Sequence, residues 1–242
     1  MDANVVAELA PTGTLRVGLN MLNNLLITGR PENGDPEGVA PDMGKAIADR
    51  LGVEVTLVQF ASPGEVADAA GDNVWDIGLI GAEPARAEVM DFSAAYVEIE
   101  ATYLVPESST FQTVEDVDSK GTRIAISGRS AYDLYLTRAL KNAELVRAKG
   151  ISGAVEIFTN DKLDALAGLR PALIEESEKL PNSRILDGKF TAVQQAIGVP
   201  KGKSAAARFI GNFVEEAKSS GLVAELIKRH DVVGRLSVAA AR

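Results

Sequence analysis

ATYLVP at residues 101–106 and TAVQQAIGVP at residues 191–200 are the two stretches that decide the fold. Each is an apolar, strand-like run closed by proline, a residue without a backbone donor that sits where extended chain leaves a sheet. Behind the first comes the polar segment ESSTFQTVEDVDSKG, and behind that a complete α/β cycle. TRIAIS at 122–127 reads as strand, SAYDLYLTRALKN at 130–142 as helix and ELVRA at 144–148 as strand. A helix near 152–160, a strand LDALAG at 163–168, a helix PALIEESEKL at 171–180 and a strand RILDG at 184–188 complete the cycle. An α/β cycle flanked by two extended crossings is the pattern of one α/β unit inserted into another. The expected domains are therefore a discontinuous first lobe, 1–106 plus 197–242, and an inserted second lobe, 107–196, with the crossings as hinges.

Outward from the crossings, the first part also alternates. LRVGLN at 15–20 is a short strand, and PDMGKAIADRLG places Met43, Ile47 and Leu51 on one helical face. VEVTLVQF at 53–60 sets Val53, Val55 and Leu57 on one side, and Ser62, Pro63 and Glu65 then start a helix near 62–70 with a capping box. WDIGLIG at 75–81 follows as a buried strand. A βαβαβ order calls for a parallel sheet with right-handed crossovers, which bind ligands beyond the carboxyl ends of their strands. After the second crossing, two amphipathic helices carry Phe209, Ile210, Phe213 and Val214, then Leu222, Leu226 and Ile227, and are expected to pack on the first lobe.

Composition narrows the chemistry. The 242 residues carry 25 Lys plus Arg against 34 Asp plus Glu, a net charge of −9 that disfavours nucleic acid and anionic membrane surfaces as partners. There is no cysteine, hence no disulfide, thiolate metal site or cysteine nucleophile. The one histidine, His230, leaves no multi-histidine metal site, and it reads as a structural residue at a helix end. GKSAAA at 202–207 lacks the upstream glycine of a phosphate loop, so no nucleotide or other cofactor is expected. No apolar run is long enough to span a membrane. The start, MDANVVAELAPTGTLR, has no basic and apolar export signal, as expected of either a mature periplasmic chain or a cytoplasmic one. Trp75, beside Asp76, reads as core.

Five ordered segments resemble the family 3 extracellular solute-binding proteins, the polar amino-acid receptors of ABC importers. They are TGTLRVGLN, GVAPDMGKAIADRLGVEVTLVQF, WDIGLIGAEPARAEVMDFSAAYVEIEATYLV, TVEDVDSKGTRIAISGRSAYDLYL and IGVPKGKSAAARFIGNFVEEAKSSGLVAELIKR. The resemblance implies a two-lobed, periplasmic-binding-protein-like fold of type II, a small-molecule ligand and ABC membrane subunits as partners. It carries the family's carboxylate-binding arginine onto Arg86, whose planar fork suits a carboxylate. The family's glycine-threonine-threonine turn falls on Gly128, Arg129 and Ser130, with Ser130 capping a helix whose N-terminus favours an anion.

The departures are equally specific. Between Asp76 and Arg86 the chain is about two residues shorter than its resemblance would have it, so Gly81, Ala82, Glu83 and Pro84 stand where the family has a threonine-rich ligand strip. NMLNNLLIT replaces an aromatic wall, leaving Asn20 and Asn23 as amide candidates whose other reading is turn stabilisation. The aspartate that receives a ligand ammonium falls on Leu169, with Arg170 after it. A buried ammonium needs a compensating group, so the expected ligand is a small anion without a free α-ammonium. Arg129 and Arg170 are possible further cations, and one of Gln194 and Gln195 is expected to reach the cleft. Two other functions stand beside the binding protein. One is a lyase resembling cyclohexadienyl dehydratase, with Glu83 as its candidate general acid; the other is a soluble ligand-sensing module.

Overall fold

The computed structural model describes residues 2–241. In chain order the elements are α1 (Ala3–Leu9), β1 (Thr14–Asn20), α2 (Val39–Leu51), β2 (Glu54–Phe60), α3 (Pro63–Asp68), β3 (Ile77–Gly81), β4 (Met90–Phe92) and β5 (Val97–Pro106). Then come β6 (Arg123–Ser127), α4 (Ala131–Ala139), β7 (Glu144–Ala148), α5 (Gly150–Asn160), β8 (Ala165–Leu169), α6 (Arg170–Lys179) and β9 (Ser183–Ile185). β10 (Thr191–Pro200), α7 (Ser204–Ser219), α8 (Leu222–Arg229) and β11 (Ser237–Val238) complete the chain. Contacts divide it into two compact units, 1–98 with 194–242, and 99–193.

In the first unit β1 is the central parallel strand, paired with β2 on one side and β3 on the other. β10 runs antiparallel to β3, and β4 pairs with β10. Leu15, Val17 and Leu19 alternate along β1 and are all buried, the period-2 pattern of a strand facing a core. Met43, Ile47 and Leu51 of α2 are buried as their spacing predicts. Gly44 lets α2 approach closely: a Cβ there would stand 2.9 Å from Val17 Cγ1. Ser62 Oγ accepts from Glu65 N at 3.2 Å, and Glu65 Oε2 accepts in turn from Ala61 N at 3.0 Å, one residue before the cap. The helix so started is shorter than expected, ending at Asp68 in a 3-10 turn over Ala69–Gly71.

Asp76 ties the edge of this core together. Its carboxylate is fully buried and accepts from Arg16 Nε at 2.9 Å, Arg16 Nη2 at 2.8 Å and the Arg16 backbone N at 2.9 Å. Lys203 Nζ stands 3.8 Å away. Hydrogen bonding to Asp76 raises the Arg16 pKa above its ordinary value. Trp75 is core, as expected, with its indole N–H donating to Val66 O at 3.0 Å. Of the residues expected to face inward from the C-terminal helices, Ile210, Phe213, Val214, Leu226 and Ile227 are buried, whereas Phe209 and Leu222 are half-buried. Three elements had no counterpart in the sequence reading. Short α1 is capped by Asp2, and its Glu8 accepts from Ala206 N at 2.8 Å, capping the first turn of α7 from outside it. β4 and β11 are the others.

In the second unit β8, β6 and β7 are parallel and β5 is antiparallel to β8. Alternation divides these strands between two faces. Tyr103, Ile124, Ile126, Ala165 and Ala167 share one apolar cluster, whereas Leu104, Ala125 and Leu166 join Phe158 and Leu173 in another. Both faces are covered, which is why these strands read as unbroken apolar runs. The unit boundaries differ from the expected ones. Residues 101–106 of β5 pair with β8 and β9 and bury Tyr103 and Val105 in this unit's core, so the strand from residue 99 on belongs here and not to the first unit. RILDG forms strand only over Ser183–Ile185.

Candidate ligand-binding site

In the first unit the candidates gather at the carboxyl ends of β1 and β3. Asn20 is the last residue of β1, and its Oδ1 accepts from Leu22 N at 3.1 Å; Asn23 Oδ1 accepts from Leu25 N at 3.2 Å. Both amides therefore serve the turn, the bland member of each pair of readings. This turn passes under α2, where Leu26 O accepts from Ala40 N. Gly38, at φ 147°, makes that approach possible, because a Cβ would stand 2.1 Å from Leu26 O.

Gly81 ends β3, paired with Gln195, and Glu83 O accepts from Arg86 N and Ala87 N. That places Arg86 at the start of a 3-10 turn, Arg86–Glu88, with Nη1 donating to Gly81 O at 2.6 Å. From sequence alone PARAEVM reads as an exposed charged loop around Arg86. Arg86 is 3% exposed, a guanidinium folded back over the end of β3. Arg86, Glu83 and Gln194 have further contacts within the protein. Gln195 is buried and Gln194 half-buried, their carbonyls accepting from Tyr96 N and Ala82 N. His230 follows α8, its Nε2 2.8 Å from Asp42 Oδ2, a structural pairing of α8 with α2.

In the second unit the turn after β6 behaves as a helix start. Gly128 N donates to Ala148 O at 2.9 Å, and Ser130 Oγ accepts from Asp133 N at 3.0 Å, the expected N-cap. Arg129 adopts a left-handed φ of 61°, and its backbone N donates to Asp133 Oδ2 at 2.7 Å. The helix start thus already carries a carboxylate of its own. Arg147 compensates it, with Nε 3.0 Å from Asp133 Oδ1 and Nη2 donating to Thr137 Oγ1. Asp133 and Arg147 were missed, although Ser130-x-x-Asp133 has the spacing of a capping box.

Arg170 differs from its expected role as a cation for ligand. Its Nε lies 3.1 Å from Glu100 Oε2, another nitrogen donates to Gly188 O, and Lys189 Nζ takes the other Glu100 oxygen at 3.1 Å. Lys189 first, then Arg170, holds the Glu100 carboxyl below its usual range. Leu169, by contrast, packs against the apolar cluster of Tyr103 and Tyr132, which Phe190 also joins. Tyr103 and Phe190 rings lie 4.6 Å apart, and Tyr135 stacks on Phe190 at 6.1 Å.

Tyr132 supplies a pH prediction. Burial raises its pKa to about 12, against hydrogen bonds with Ser130 and Ser127 that lower it. A phenol whose folded pKa exceeds its unfolded value of 10.0 stabilises fully below pH 10 and loses that contribution as pH rises through about 12. Alkaline unfolding followed by circular dichroism should therefore set in between these values, and Tyr132→Phe should move the onset upward.

Among the described residues no group of three or more acidic, histidine or cysteine side chains could hold a metal ion, and no helix is long and apolar enough to cross a membrane. With the geometry in place, likeness to known proteins becomes decisive. The sequence matches the bacterial extracellular solute-binding proteins, family 3, over residues 22–231. The chain belongs to that family.

Its relatives fit this membership. The ABC transporter glutamine-binding protein GlnH of Bacillus subtilis is 25% identical over 82% of this chain and 74% of its own. The cyclohexadienyl dehydratase of Pseudomonas aeruginosa is 24% identical over 80% of this chain and 74% of its own. A crystal structure of a mutant ArgBP from T. maritima superposes with a TM-score of 0.75 at 25% identity, covering 94% of this chain and 99% of that one. The α/β fold is that of the two-lobed amino-acid-binding proteins, and the protein is a solute-binding protein of that type.

Proposed function

We propose that this protein binds a small carboxylate lacking a free α-ammonium and hands it to the membrane subunits of an ABC-type importer. The transporter partner follows from family membership and from the role named for GlnH. The carboxylate is assigned to Arg86, whose guanidinium is a planar fork of donors at the end of β3. In the second unit Asp133 already lies on the Arg129 N–H, so the Gly128–Ser130 turn is given no carboxylate of a ligand.

The observation that carries the reading is Leu169. At the position where amino-acid receptors hold a ligand ammonium, this chain has an isobutyl group packed in an apolar cluster, and the neighbouring Arg170 is turned to Glu100. An α-ammonium brought there would lose hydration without a partner. An apolar ligand body would lose nothing.

A thermal-shift screen of aliphatic mono- and dicarboxylates beside the common amino acids tests this. A specific acid at a hundred times its Kd should stabilise by about 2.7 kcal/mol. A screen in which only amino acids stabilise would overturn the carboxylate reading. Any hit should also be followed for product formation, because a hit consumed with loss of water would favour the lyase, with Glu83 as the carboxylate to mutate first.

A further inference from the structure

The second unit holds a cavity of its own at the end of β8 away from Leu169. Its volume is about 600 Å³, and every residue lining it lies between Pro106 and Ser183, inside that unit. Leu163 and Asp164 on its wall immediately precede β8, whereas Leu169 ends that strand, about 16 Å further along it. The Gly128–Ser130 turn follows the end of β6, which is parallel to β8, so it too stands at the other end of the sheet.

The walls are held in place by the protein itself. The loop after β5 is fastened by Arg184, which donates to Ser109 O and Phe111 O, and by Asp116, which accepts from Gln112 N and Thr113 N. Glu107 N donates to Asn182 O at 2.7 Å, joining that loop to the turn after α6. Pro106 and Pro181 restrict φ on these two walls. A preformed opening of this volume is in the range of small-molecule sites.

The lining combines two kinds of surface. Phe111 comes from the margin of one apolar cluster of this unit, and Phe158, Leu163 and Leu180 from the other. Most of the remainder is hydroxyl and amide, from Ser108, Ser109, Thr110, Thr159, Asn182 and Ser183. Lys162 and Asp164 are the two charged residues of the lining, and their charges cancel. Asp164 Oδ2 accepts from Arg123 N at 2.8 Å, while among the described residues the Lys162 ammonium and the Asn182 amide enter no hydrogen bond. Both of these side chains stand where the backbone favours glycine. Lys162 has φ 49° and Asn182 φ 75°, in the turns that follow α5 and α6. Asparagine enters the left-handed region readily, but lysine does so at a cost, and a lysine kept there gives the cavity a donor that glycine would not.

We propose that this cavity binds a neutral saccharide, using none of the residues assigned to the carboxylate. A pyranose presents C–H surface that packs on phenylalanine and leucine, and a ring of hydroxyls that donate to and accept from serine, threonine, asparagine and single charges of either sign. An anion would meet Asp164 and the carbonyl end of α5, and a cation would meet Lys162.

Saturation-transfer-difference NMR on the full chain, titrating glucose, galactose, N-acetylglucosamine and maltose, tests this. At least one sugar should receive saturation on its ring C–H protons. Its affinity should fall on the order of tenfold in Lys162→Gly and about threefold in Asn182→Gly. Glycine accepts both backbone geometries, so neither variant should lower the urea midpoint, and lost binding cannot then be laid to unfolding. No saturation of any of these sugars, or saturation that survives both substitutions, would overturn the saccharide site. Benzoate separates the question of charge: benzoate binding that disappears in Lys162→Gly, with no sugar bound, would overturn the neutral assignment. Neither substitution touches Arg86, so failure of the carboxylate reading would be seen separately in the thermal-shift screen.

Discussion

Arg86→Ala should lose roughly 30-fold to 1000-fold in ligand affinity, the equivalent of about 2 to 4 kcal/mol for a charge-assisted contact. The sequence reading expected no cost in stability, because PARAEVM reads as an exposed charged loop. Burial changes that expectation. Gly81 O, at the end of β3, accepts from Arg86 Nη1 at 2.6 Å, and alanine would leave that carbonyl without this donor in a site 3% exposed. The variant should therefore also unfold about 1 to 3 kcal/mol more easily, measured as a fall in the urea midpoint at constant slope. Arg86→Lys separates the two losses: it can restore a charge but not a planar fork, so affinity should stay low. Equal affinity in wild type and Arg86→Ala would reduce this residue to a structural arginine.

Asp76→Ala should be the most destabilising of the simple substitutions, by about 3 to 5 kcal/mol. The carboxylate is fully buried and accepts three hydrogen bonds from Arg16, and Asp76 N donates to Arg16 O, fastening β1 to the segment entering β3. Removing it leaves a guanidinium without its acid, and Lys203 stands 3.8 Å away with the same loss. Replacing Arg16 and Asp76 together by apolar residues should cost much less than Asp76→Ala alone, since the larger part of the penalty is the orphaned charge. Denaturant unfolding of the two single variants and the double variant measures the difference. Additive losses would contradict this account of the pair.

How much was legible in the sequence depended on whether the signal was local. Leu15, Val17 and Leu19 declare a half-buried strand by alternation alone, and Met43, Ile47 and Leu51 declare a helix face. Ser62 and Ser130 declare helix starts because the cap and the backbone N–H that donates to it lie within four residues. Residues paired across long stretches of chain were opaque. Glu100 meets Arg170 and Lys189 from 70 and 89 positions away, so Arg170 read as an available cation when it is a held one. β11 has two residues and no pattern of its own, and exists because Val97 and Glu98 offer it an edge.

Site chemistry followed the same rule. The Gly128–Ser130 turn was readable as a cap, yet Asp133 on the Arg129 N–H needed the left-handed geometry of residue 129 to be seen. The fate of Leu169 could be read only as a substitution. Its packing with the cluster that holds Tyr103 and Phe190 gives that substitution a physical consequence.

Isothermal titration of matched pairs tests the central claim most directly: L-glutamate against glutarate, and L-leucine against 4-methylpentanoate. The pairs differ by the α-ammonium alone. If Leu169 has removed the ammonium's partner, at least one deaminated acid binds and its amino acid binds on the order of a hundredfold more weakly, as expected for an uncompensated buried charge. Tight binding of L-glutamate or L-leucine, with the deaminated partner the weaker ligand, would contradict it.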